Sequence, residues 1–169
     1  MERTYSDVDL RPATAADFLV LFKWANDPDT RHNSVHTAPV TWDEHLQWVN
    51  QALSQDRYDT FIVVWQRNAE VGVVRLSNLF PDVPKAESVG QIEFTIDPER
   101  RGRGLEPHAI KSACESGPYR SYLALVNPDS RDIEAAFRTA GFKQSTYTQA
   151  GIVEVSGNRR VAYTYQKEG

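Results

Sequence analysis

The segment that decides the fold reads QIEFTIDPERRGRGLEP and spans residues 91–107. Residues 91–97 are typical of a strand, and Pro98 ends it. Gly102 and Gly104 allow a tight turn before a helix predicted near 106–116. The N–H groups of such a loop, with those at the start of the following helix, favour a pyrophosphate or similar anion. An ordinary strand-to-helix loop with a solvated basic face is the alternative interpretation.

The residues on both sides of this segment predict strands and helices in mixed order. Strands are predicted at 6–12, 61–66, 71–79, 91–97, 122–126, 144–155 and 160–166. Helices are predicted from the capping box at 14–17 to about residue 25, from the capping box at 41–44 to about residue 53, near 106–116 and at 131–140. Residues 27–40 are predicted to be a loop. The fold class is therefore α+β (mixed α/β), with a central twisted mixed sheet of about seven strands flanked by four helices.

Length and composition limit the function classes. The 169 residues predict one domain spanning 1–169. With 19 Lys and Arg against 23 Asp and Glu, the net charge of −4 disfavours nucleic acid as a partner. The one cysteine excludes an internal disulfide, and the spacing of the four histidines predicts no metal site. No apolar run is long enough for a membrane span and no apolar signal core is present, so we expect a cytoplasmic protein with no membrane partner.

Four short motifs stand in register along the chain. They are Gly72 in an early strand, Ile96-Asp97-Pro98, the loop Arg101-Gly-Arg-Gly104-Leu-Glu106, and Ala140-Gly141-Phe142 after the last predicted helix. Together they resemble the GNAT superfamily of N-acetyltransferases, whose loop reads [Gln/Arg]-x-x-Gly-x-[Gly/Ala]. The resemblance covers nearly the whole chain. It implies a GNAT-like fold, acetyl-CoA as cosubstrate, no metal, and direct transfer of the acetyl group to a primary amine.

The same resemblance implies where acetyl-CoA binds. The cosubstrate would lie in an opening between the strand 91–97 and the strand 122–126. Its pantetheine arm would contact the backbone at Phe94, Thr95 and Ile96. Ser130, at a position where an asparagine is common, would donate one hydrogen bond. The pyrophosphate would rest on the backbone amides of Arg101, Gly102, Arg103, Gly104, Leu105 and Glu106.

Some positions depart from the family pattern. Glu106 stands where the family has Gly or Ala, and a carboxylate repels a pyrophosphate. Pro107 removes one donor from the first helical turn. Phe137 stands where many members have a tyrosine, the proposed general acid, and Tyr122, Tyr147 or water would have to replace it. These departures leave open a second hypothesis, a catalytically degenerate GNAT-like binding module.

A second set of residues lies in the N-terminal half. It comprises Trp24-Ala-Asn26, followed by Arg31 and Ser34, and then Glu44-His45-x-x-Trp48. This pattern resembles a narrower branch, the N-acetyltransferases of pseudaminic acid biosynthesis, which act on a nucleotide-linked 4-amino-4,6-dideoxy sugar. The resemblance implies acceptor contacts from Trp24, Arg31, Ser34, His45 and Trp48, with arginine suited to phosphate and tryptophan to ring stacking.

Structural roles are the alternative for these residues. Trp24 and Trp48 would then be core or rim aromatics, and His45 a surface residue without a task. Arg31 would pair with Asp27 or Asp29.

An amine must be neutral to attack the thioester, so a proton acceptor is expected near the donor. Glu93 is the first candidate because it lies on the strand 91–97, and His45 is the second because its ordinary pKa is near neutral. A carboxylate that points to solvent or bonds a neighbouring strand is the alternative for Glu93. Cys114 is predicted to be a core residue. A peptide, polyamine or antibiotic amine remains the alternative acceptor, and a homodimer is compatible with the sequence.

Overall fold

The structure, a computed structural model, describes residues 8–34, 36–54, 58–65, 68–146 and 151–168. Within these ranges eight strands form one sheet, accompanied by five α-helices. The strands are β1 (Val8–Pro12), β2 (Tyr58–Trp65), β3 (Ala69–Asn78), β4 (Val89–Ile96), β5 (Ser121–Val126), β6 (Lys143–Gln144), β7 (Ile152–Val155) and β8 (Asn158–Gln166). The helices are α1 (Phe18–Ala25), α2 (Pro28–Asn33), α3 (Trp42–Ser54), α4 (Leu105–Ser116) and α5 (Arg131–Thr139).

The parallel neighbours β4 and β5 separate along their length. The sheet order is β1-β2-β3-β4-β5-β8-β6, with β7 paired to β8. Pairing between β4 and β5 covers only Val89–Gln91 against Ser121–Leu123. Beyond that point β4 stays with β3 as far as Ile96, and β5 stays with β8 as far as Val126. The two strands therefore open a cleft between their C-terminal ends, where the opening was expected.

Gly72 allows β3 to approach β4 closely beside this cleft. It pairs with Ile96, and a β-carbon at Gly72 would lie 2.5 Å from the carbonyl oxygen of Thr95 and 2.8 Å from Cδ1 of Ile96. A larger residue would push the two strands apart at the level where β4 borders the cleft. This contact is the physical reason for a glycine early in the strand.

Helices cover both faces of the sheet. Consecutive strand residues face opposite sides, and Ile62 and Val63 of β2 belong to two different core clusters. Ile62 packs with Trp24 of α1. Val63 belongs to the larger cluster, which includes Cys114 of α4 and Phe137 of α5. The layered mixed α/β arrangement is confirmed, and so is the prediction that Cys114 is a core residue.

The prediction that 27–40 is a loop is wrong in its first part, which forms α2. The Asp27 carboxylate accepts a hydrogen bond from the Thr30 N–H at 3.1 Å, and Pro28 occupies the first turn. An N-cap aspartate followed by proline begins a helix, because the proline lacks only a donor that would be unpaired there. The sequence at 26–28 therefore ends α1 and also starts α2, and the described part of the chain has five α-helices rather than four.

The C-terminal part also differs from the prediction. The strand predicted at 144–155 is replaced by the short strands β6 and β7, which both pair with β8. Gly151, with φ +69°, immediately precedes β7. Residues 147–150, including Tyr147, lie outside the described residues. The other predicted helices and strands are confirmed to within a few residues wherever they are described.

Candidate active site

A cavity with a volume of about 890 Å³ lies in the opening between β4 and β5. This is within the size range of sites for small molecules and cofactors. Its walls come from the second half of β4, the loop before α4, the start of α5 and the helix α2. Three segments that are far apart in sequence therefore surround the C-terminal end of β4.

The loop before α4 has the backbone geometry of an anion cradle. Gly102 and Gly104 have φ of +74° and +75°, in the left-handed region that favours glycine. A β-carbon on Gly102 would meet no atom within 4 Å, so backbone angle and not crowding calls for glycine there. Gly104 is the N-cap of α4, and Leu105 is fully buried and anchors the first turn. The unpaired N–H groups of that turn adjoin the cavity. The residues present therefore fit a pyrophosphate.

Two side chains on this turn work against an anion. Glu106 is half-buried and lines the cavity, so its carboxylate adjoins the space that a phosphate would take. Pro107 also lines the cavity and carries no N–H. Pro107 thus removes one N–H donor from the cradle, and Glu106 adds a negative charge that Gly or Ala would not.

The side chain of Arg101 turns away from the cradle toward α2. Its Nη2 atom donates to Asp27 at 2.8 Å and to Oγ1 of Thr30 at 3.2 Å, and its Nη1 lies 3.3 Å from Asp29. Its Nε donates to the carbonyl oxygen of Ile96 at 3.1 Å. Burial alone would raise the pKa of Asp27, but the hydrogen bonds from Arg101 and Thr30 outweigh it and the pKa is lowered. The Arg101 side chain therefore links the loop to α2, and only the backbone N–H of this residue remains for the cradle.

The apolar wall of the cavity is built from aromatic rings. Phe94 contacts Phe137 edge-to-face at a centroid distance of 5.4 Å, and Phe137 contacts Phe142 at 5.0 Å. Phe137 is buried and has no proton to donate. The Ser130 hydroxyl, at the start of α5, is hydrogen-bonded to Oδ1 of Asn33 in α2, and both residues line the cavity. The hydroxyl therefore already has a partner across the cleft.

Glu93 lines the cavity together with Arg75 of β3. The two residues are directly opposite in the antiparallel register, and Nη2 of Arg75 lies 2.7 Å from Oε2 of Glu93. The Arg75 guanidinium also lies 4.8 Å from the centroid of the Trp48 ring. The carboxylate proposed from the sequence is thus at the cleft, and it also bonds a neighbouring strand.

His45 is buried in the structure. It is 2% exposed, and its Nε2 lies 2.9 Å from the carbonyl oxygen of Phe18. Its ring packs against Phe22, Trp42 and Trp48. Burial lowers its pKa, and it does not line the cavity. His45 is therefore a buried residue and not a surface one, and its roles as proton acceptor and acceptor contact stay predictions.

Trp24 and Arg31 are also structural. Trp24 is 2% exposed within the core between α1 and the sheet. The Arg31 guanidinium donates hydrogen bonds to the carbonyl oxygens of Ala25, His36 and Ala38 and to the Ser34 hydroxyl. The alternative pairing of Arg31 with Asp27 or Asp29 is not found, because Arg101 holds both carboxylates. These contacts give Trp24 and Arg31 structural roles, and their acceptor-binding roles stay predictions.

Of the proposed acceptor residues, Ser34 lines the cavity and Trp48 lies behind Arg75. Sequence analysis did not propose Arg75, Asn33 or Arg160. Arg75 could have been found from the β3–β4 register opposite Glu93. Arg160 lies on β8 and donates to the Ser34 carbonyl oxygen at 2.6 Å across 126 positions of sequence, a contact with no local signal.

Within the described residues, no helix is long and apolar enough to cross a membrane. In the same part of the chain, no group of three or more His, Cys, Asp or Glu side chains is arranged to hold a metal ion.

Residues 7–143 match the family described as "Acetyltransferase (GNAT) domain". No curated protein matches the sequence. Solved structures share the fold. The spermidine N-acetyltransferase from Vibrio cholerae with CoA and spermine has a TM-score of 0.78 at 14% identity, covering 95% of this chain and 96% of its own. The aminoglycoside acetyltransferase AAC(6')-Ib with coenzyme A has a TM-score of 0.74 at 16% identity, covering 95% of both chains. The ribosomal L7/L12 alpha-N-protein acetyltransferase RimL with coenzyme A has a TM-score of 0.73 at 13% identity, covering 95% and 94%.

Proposed function

The chain belongs to the GNAT family of acetyltransferases, with acetyl-CoA as the donor, and from this premise we propose that its acceptor is the primary amine of a nucleotide-linked amino sugar. The observation that carries the proposal is the cavity between β4 and β5, which has the glycine cradle at one end and Glu93 with Arg75 along β4. The cradle suits the phosphates of the donor, and the polar end suits an amine.

The order of groups along β4 assigns the two ends of the cavity. The cradle follows the C-terminal end of β4, so a chain-like donor held there extends back along the strand, past Ile96, Thr95 and Phe94, toward Glu93. Strand residues rise about 3.3 Å each, so this stretch spans roughly 10 Å. The backbone of these residues would bind the donor arm, and the thioester would come to the level of Glu93.

Glu93 is the proposed proton acceptor. The neutral amine nitrogen attacks the thioester carbonyl carbon, the new C–N bond forms, and the C–S bond breaks to release the thiolate of CoA. The proton lost by the amine passes to Glu93, directly or through one water. No side chain of the enzyme is acetylated in this scheme, which agrees with the buried position of Cys114.

Neither Phe137 nor Tyr122 can give the departing thiolate a proton, and Tyr147, the other tyrosine that sequence analysis considered, lies outside the described residues. Phe137 has no proton to give. Tyr122 is fully buried, and its hydroxyl lies against Gly117, just beyond the C-terminal end of α4. The cradle adjoins the other end of this helix, roughly 18 Å away for twelve residues. Water is therefore the proposed proton donor, and the enzyme relies on the thiolate as a tolerable leaving group.

A cationic acceptor is the second candidate. Among the proteins with the same fold, one structure contains CoA and spermine, and another is an aminoglycoside acetyltransferase. Carboxylates of Asp29 and Glu93 line the cavity here and suit a cation. Both carboxylates are already paired with arginines, however, and this favours an acceptor that is not a polycation.

Two measurements test the proposal. Thermal unfolding with millimolar acetyl-CoA should raise the midpoint by a few degrees, whereas desulfo-CoA and no ligand serve as reference points. Thiol release should then be followed with a uridine-diphosphate-linked 4-amino-4,6-dideoxy sugar, spermidine, kanamycin and a peptide with a free N-terminus. Turnover of the nucleotide sugar above the others is the expected result. Turnover of only another amine would overturn the proposed acceptor, and no shift and no turnover would overturn the donor site.

We also propose that the protein forms a homodimer and is cytoplasmic. Light scattering of the purified protein tests the first, and fractionation of the producing cells tests the second.

A further inference from the structure

Three arginines surround the end of the cavity that we assign to the acceptor. Arg75 lines the cavity beside Glu93. Arg31 donates to the Ser34 hydroxyl at 3.2 Å, and Arg160 donates to the Ser34 carbonyl oxygen at 2.6 Å. Ser34 itself lines the cavity, so two guanidinium groups converge directly behind its wall and a third forms part of that wall.

Arg160 carries a buried charge without a carboxylate partner among the described residues. It is 4% exposed, its two terminal nitrogens donate to backbone carbonyl oxygens, and its Nε has no hydrogen-bond partner there. Burial lowers its pKa. Arginines are almost never so deeply buried without an anion, because the transfer of a charge from water is costly.

Arg31 adds a second positive charge beside Ser34. Its partners are carbonyl oxygens and one hydroxyl, all of them neutral. Burial lowers its pKa, and the nearby charge of Arg75 lowers it further. Glu93 is the one carboxylate that opposes these effects. Around Ser34, the arginines Arg31, Arg75 and Arg160 outnumber Glu93, and Asp29, the carboxylate of α2 that also lines the cavity, is paired with Arg101.

We propose that Arg75 is a specificity-determining residue that binds an anionic group of the acceptor, of the phosphate class. This rests on the proposed function and deepens it by naming the residue that recognises the acceptor. Arg31 and Arg160 bond Ser34, so they add positive potential and hold the segment at Ser34 in position. Arg75 itself lines the cavity. Its side chain is 31% exposed, and its guanidinium is held beside the Trp48 ring, so it is oriented before the ligand arrives.

The ion pair with Glu93 gives this recognition a second consequence. A phosphate bound by Arg75 competes with Glu93 for the Nη2 donor. When the phosphate takes that donor, both oxygens of Glu93 are open to the amine. An acceptor with a phosphate near its amine therefore frees the proton acceptor as it binds, and a polyamine meets an unfavourable positive field.

Matched acceptors with and without phosphate groups give the direct test. Glucosamine and glucosamine 6-phosphate have the same amine, and the nucleotide-linked 4-amino sugar and its free sugar form a second pair. The variants are Arg75→Gln, which removes the charge, and Arg75→Lys, which keeps it. Lys111→Gln is the matched control, because it removes one positive charge from α4 at an exposed pair with Glu115, away from the cavity.

The wild type should prefer the phosphorylated member of each pair. Arg75→Gln should lower kcat/KM for that member about 10- to 100-fold, as expected when one charged hydrogen bond is lost, and the ratio of kcat/KM between the two members should fall by a similar factor. Arg75→Lys should restore part of the preference, and Lys111→Gln should change neither substrate. An equal loss on both members of a pair would overturn the proposal, and so would a wild type that prefers the uncharged acceptor or spermidine.

A binding measurement separates failure of this inference from failure of the proposed enzyme. Uridine diphosphate should bind to the wild type in isothermal titration without acetyl-CoA, and Arg75→Gln should abolish the binding. If acetyl-CoA does not bind but uridine diphosphate does so through Arg75, the donor site fails and the anion site stands. If uridine diphosphate binds neither protein, or both equally, the anion site is overturned even when acetyl transfer to another amine is found.

Discussion

Arg101 of the glycine loop and Asp27 of α2 form an ion pair of 2.8 Å, although 74 positions separate them in the chain. Asp27 is also the N-cap of α2, so one carboxylate both starts the helix and fixes it to the loop. On its other side α2 is joined to α5 through Asn33 and Ser130. The helix therefore bridges the two edges of the cleft, and it places Ser34 at the acceptor end.

Replacing Asp27 with asparagine tests this bridge. The amide still accepts one hydrogen bond but loses the ion pair, so we expect a loss of about 1–2 kcal/mol in the free energy of unfolding. Amide hydrogen exchange over residues 28–34 should be faster, and exchange in the sheet should change little. Asp82→Asn, in the exposed loop between β3 and β4, is the control. Equal exchange of α2 in both variants would show that the bridge does not hold the helix.

Two aspartates should make the stability of the protein depend on pH. The hydrogen bond from Arg11 lowers the pKa of Asp17 despite burial, and Arg101 does the same for Asp27. A carboxyl group whose pKa is lower in the folded state stabilises the protein above its unfolded pKa of about 4 and loses that effect as the pH falls through the folded value. The wild type should therefore lose stability as the pH falls below about 4.

Asp17→Asn isolates one part of this effect. Both Asp17 oxygens accept from Arg11 at 2.9 Å, so the variant should be less stable at pH 7 by about 1–3 kcal/mol. The difference from the wild type should shrink as the pH falls below about 4, because the carboxyl group then takes up a proton in the unfolded state before it does so in the folded state. Urea unfolding at pH 7, 5 and 3.5 measures it. A difference that is constant over this range would assign the effect to packing.

Gly72→Ala should be strongly destabilising. The added methyl group would lie 2.5 Å from the Thr95 carbonyl oxygen, which is backbone and cannot move aside without shifting β4. We expect a loss of about 2–4 kcal/mol and weaker acetyl-CoA binding, because β4 borders the cleft. Gly157→Ala is the matched control. Gly157 has φ +78° and no atom within 4 Å of an added β-carbon, so only a backbone cost of about 1 kcal/mol is expected.

The parts of this molecule that the sequence predicted are those with local signals. The cradle follows from Gly102 and Gly104 beside a strand and a helix, and the strand predicted at 91–97 includes Glu93, which lines the cavity. The helix α2 also has a local signal, Asp27 before Pro28, within the segment 27–40 that was predicted to be a loop. A proline can follow the end of one helix or stand in the first turn of the next. Which of these occurs depends on whether the next segment can pack as a helix.

The sequence could not tell which of the candidate acceptor residues are buried. Tryptophan, histidine and arginine each serve in cores as well as in binding sites, so residue type alone did not distinguish the two roles. Trp24 and His45 are in the interior because α1 and α3 pack with those faces inward, and Arg31 bonds carbonyl oxygens that come together only in the folded loop. Arg75 was missed because its significance arises from strand register, and Arg160 because β8 meets the loop only in the finished fold.

Glu93→Gln should slow acetyl transfer without weakening donor binding. The amide has the same shape but accepts no proton at neutral pH, so kcat should fall about 10²- to 10⁴-fold if Glu93 is the proton acceptor. The thermal shift with acetyl-CoA should stay within a degree of the wild type. Glu87→Gln, on the exposed loop before β4, is the control. If kcat falls less than about threefold, Glu93 has no role in proton transfer.

Glu106→Gln tests the carboxylate in the first turn of α4, which lines the cavity. A negative charge about 4–6 Å from a pyrophosphate costs about 1–3 kcal/mol near a protein surface, so its removal should tighten CoA binding about tenfold or more. The change should be larger at low ionic strength, because salt screens the repulsion. Removal of the charge leaves the backbone donors of Gly104 and Leu105 in place, so the cradle itself is not altered. An unchanged Kd at low salt would mean that the carboxylate turns to solvent when the donor binds, and that the cradle tolerates glutamate at no cost.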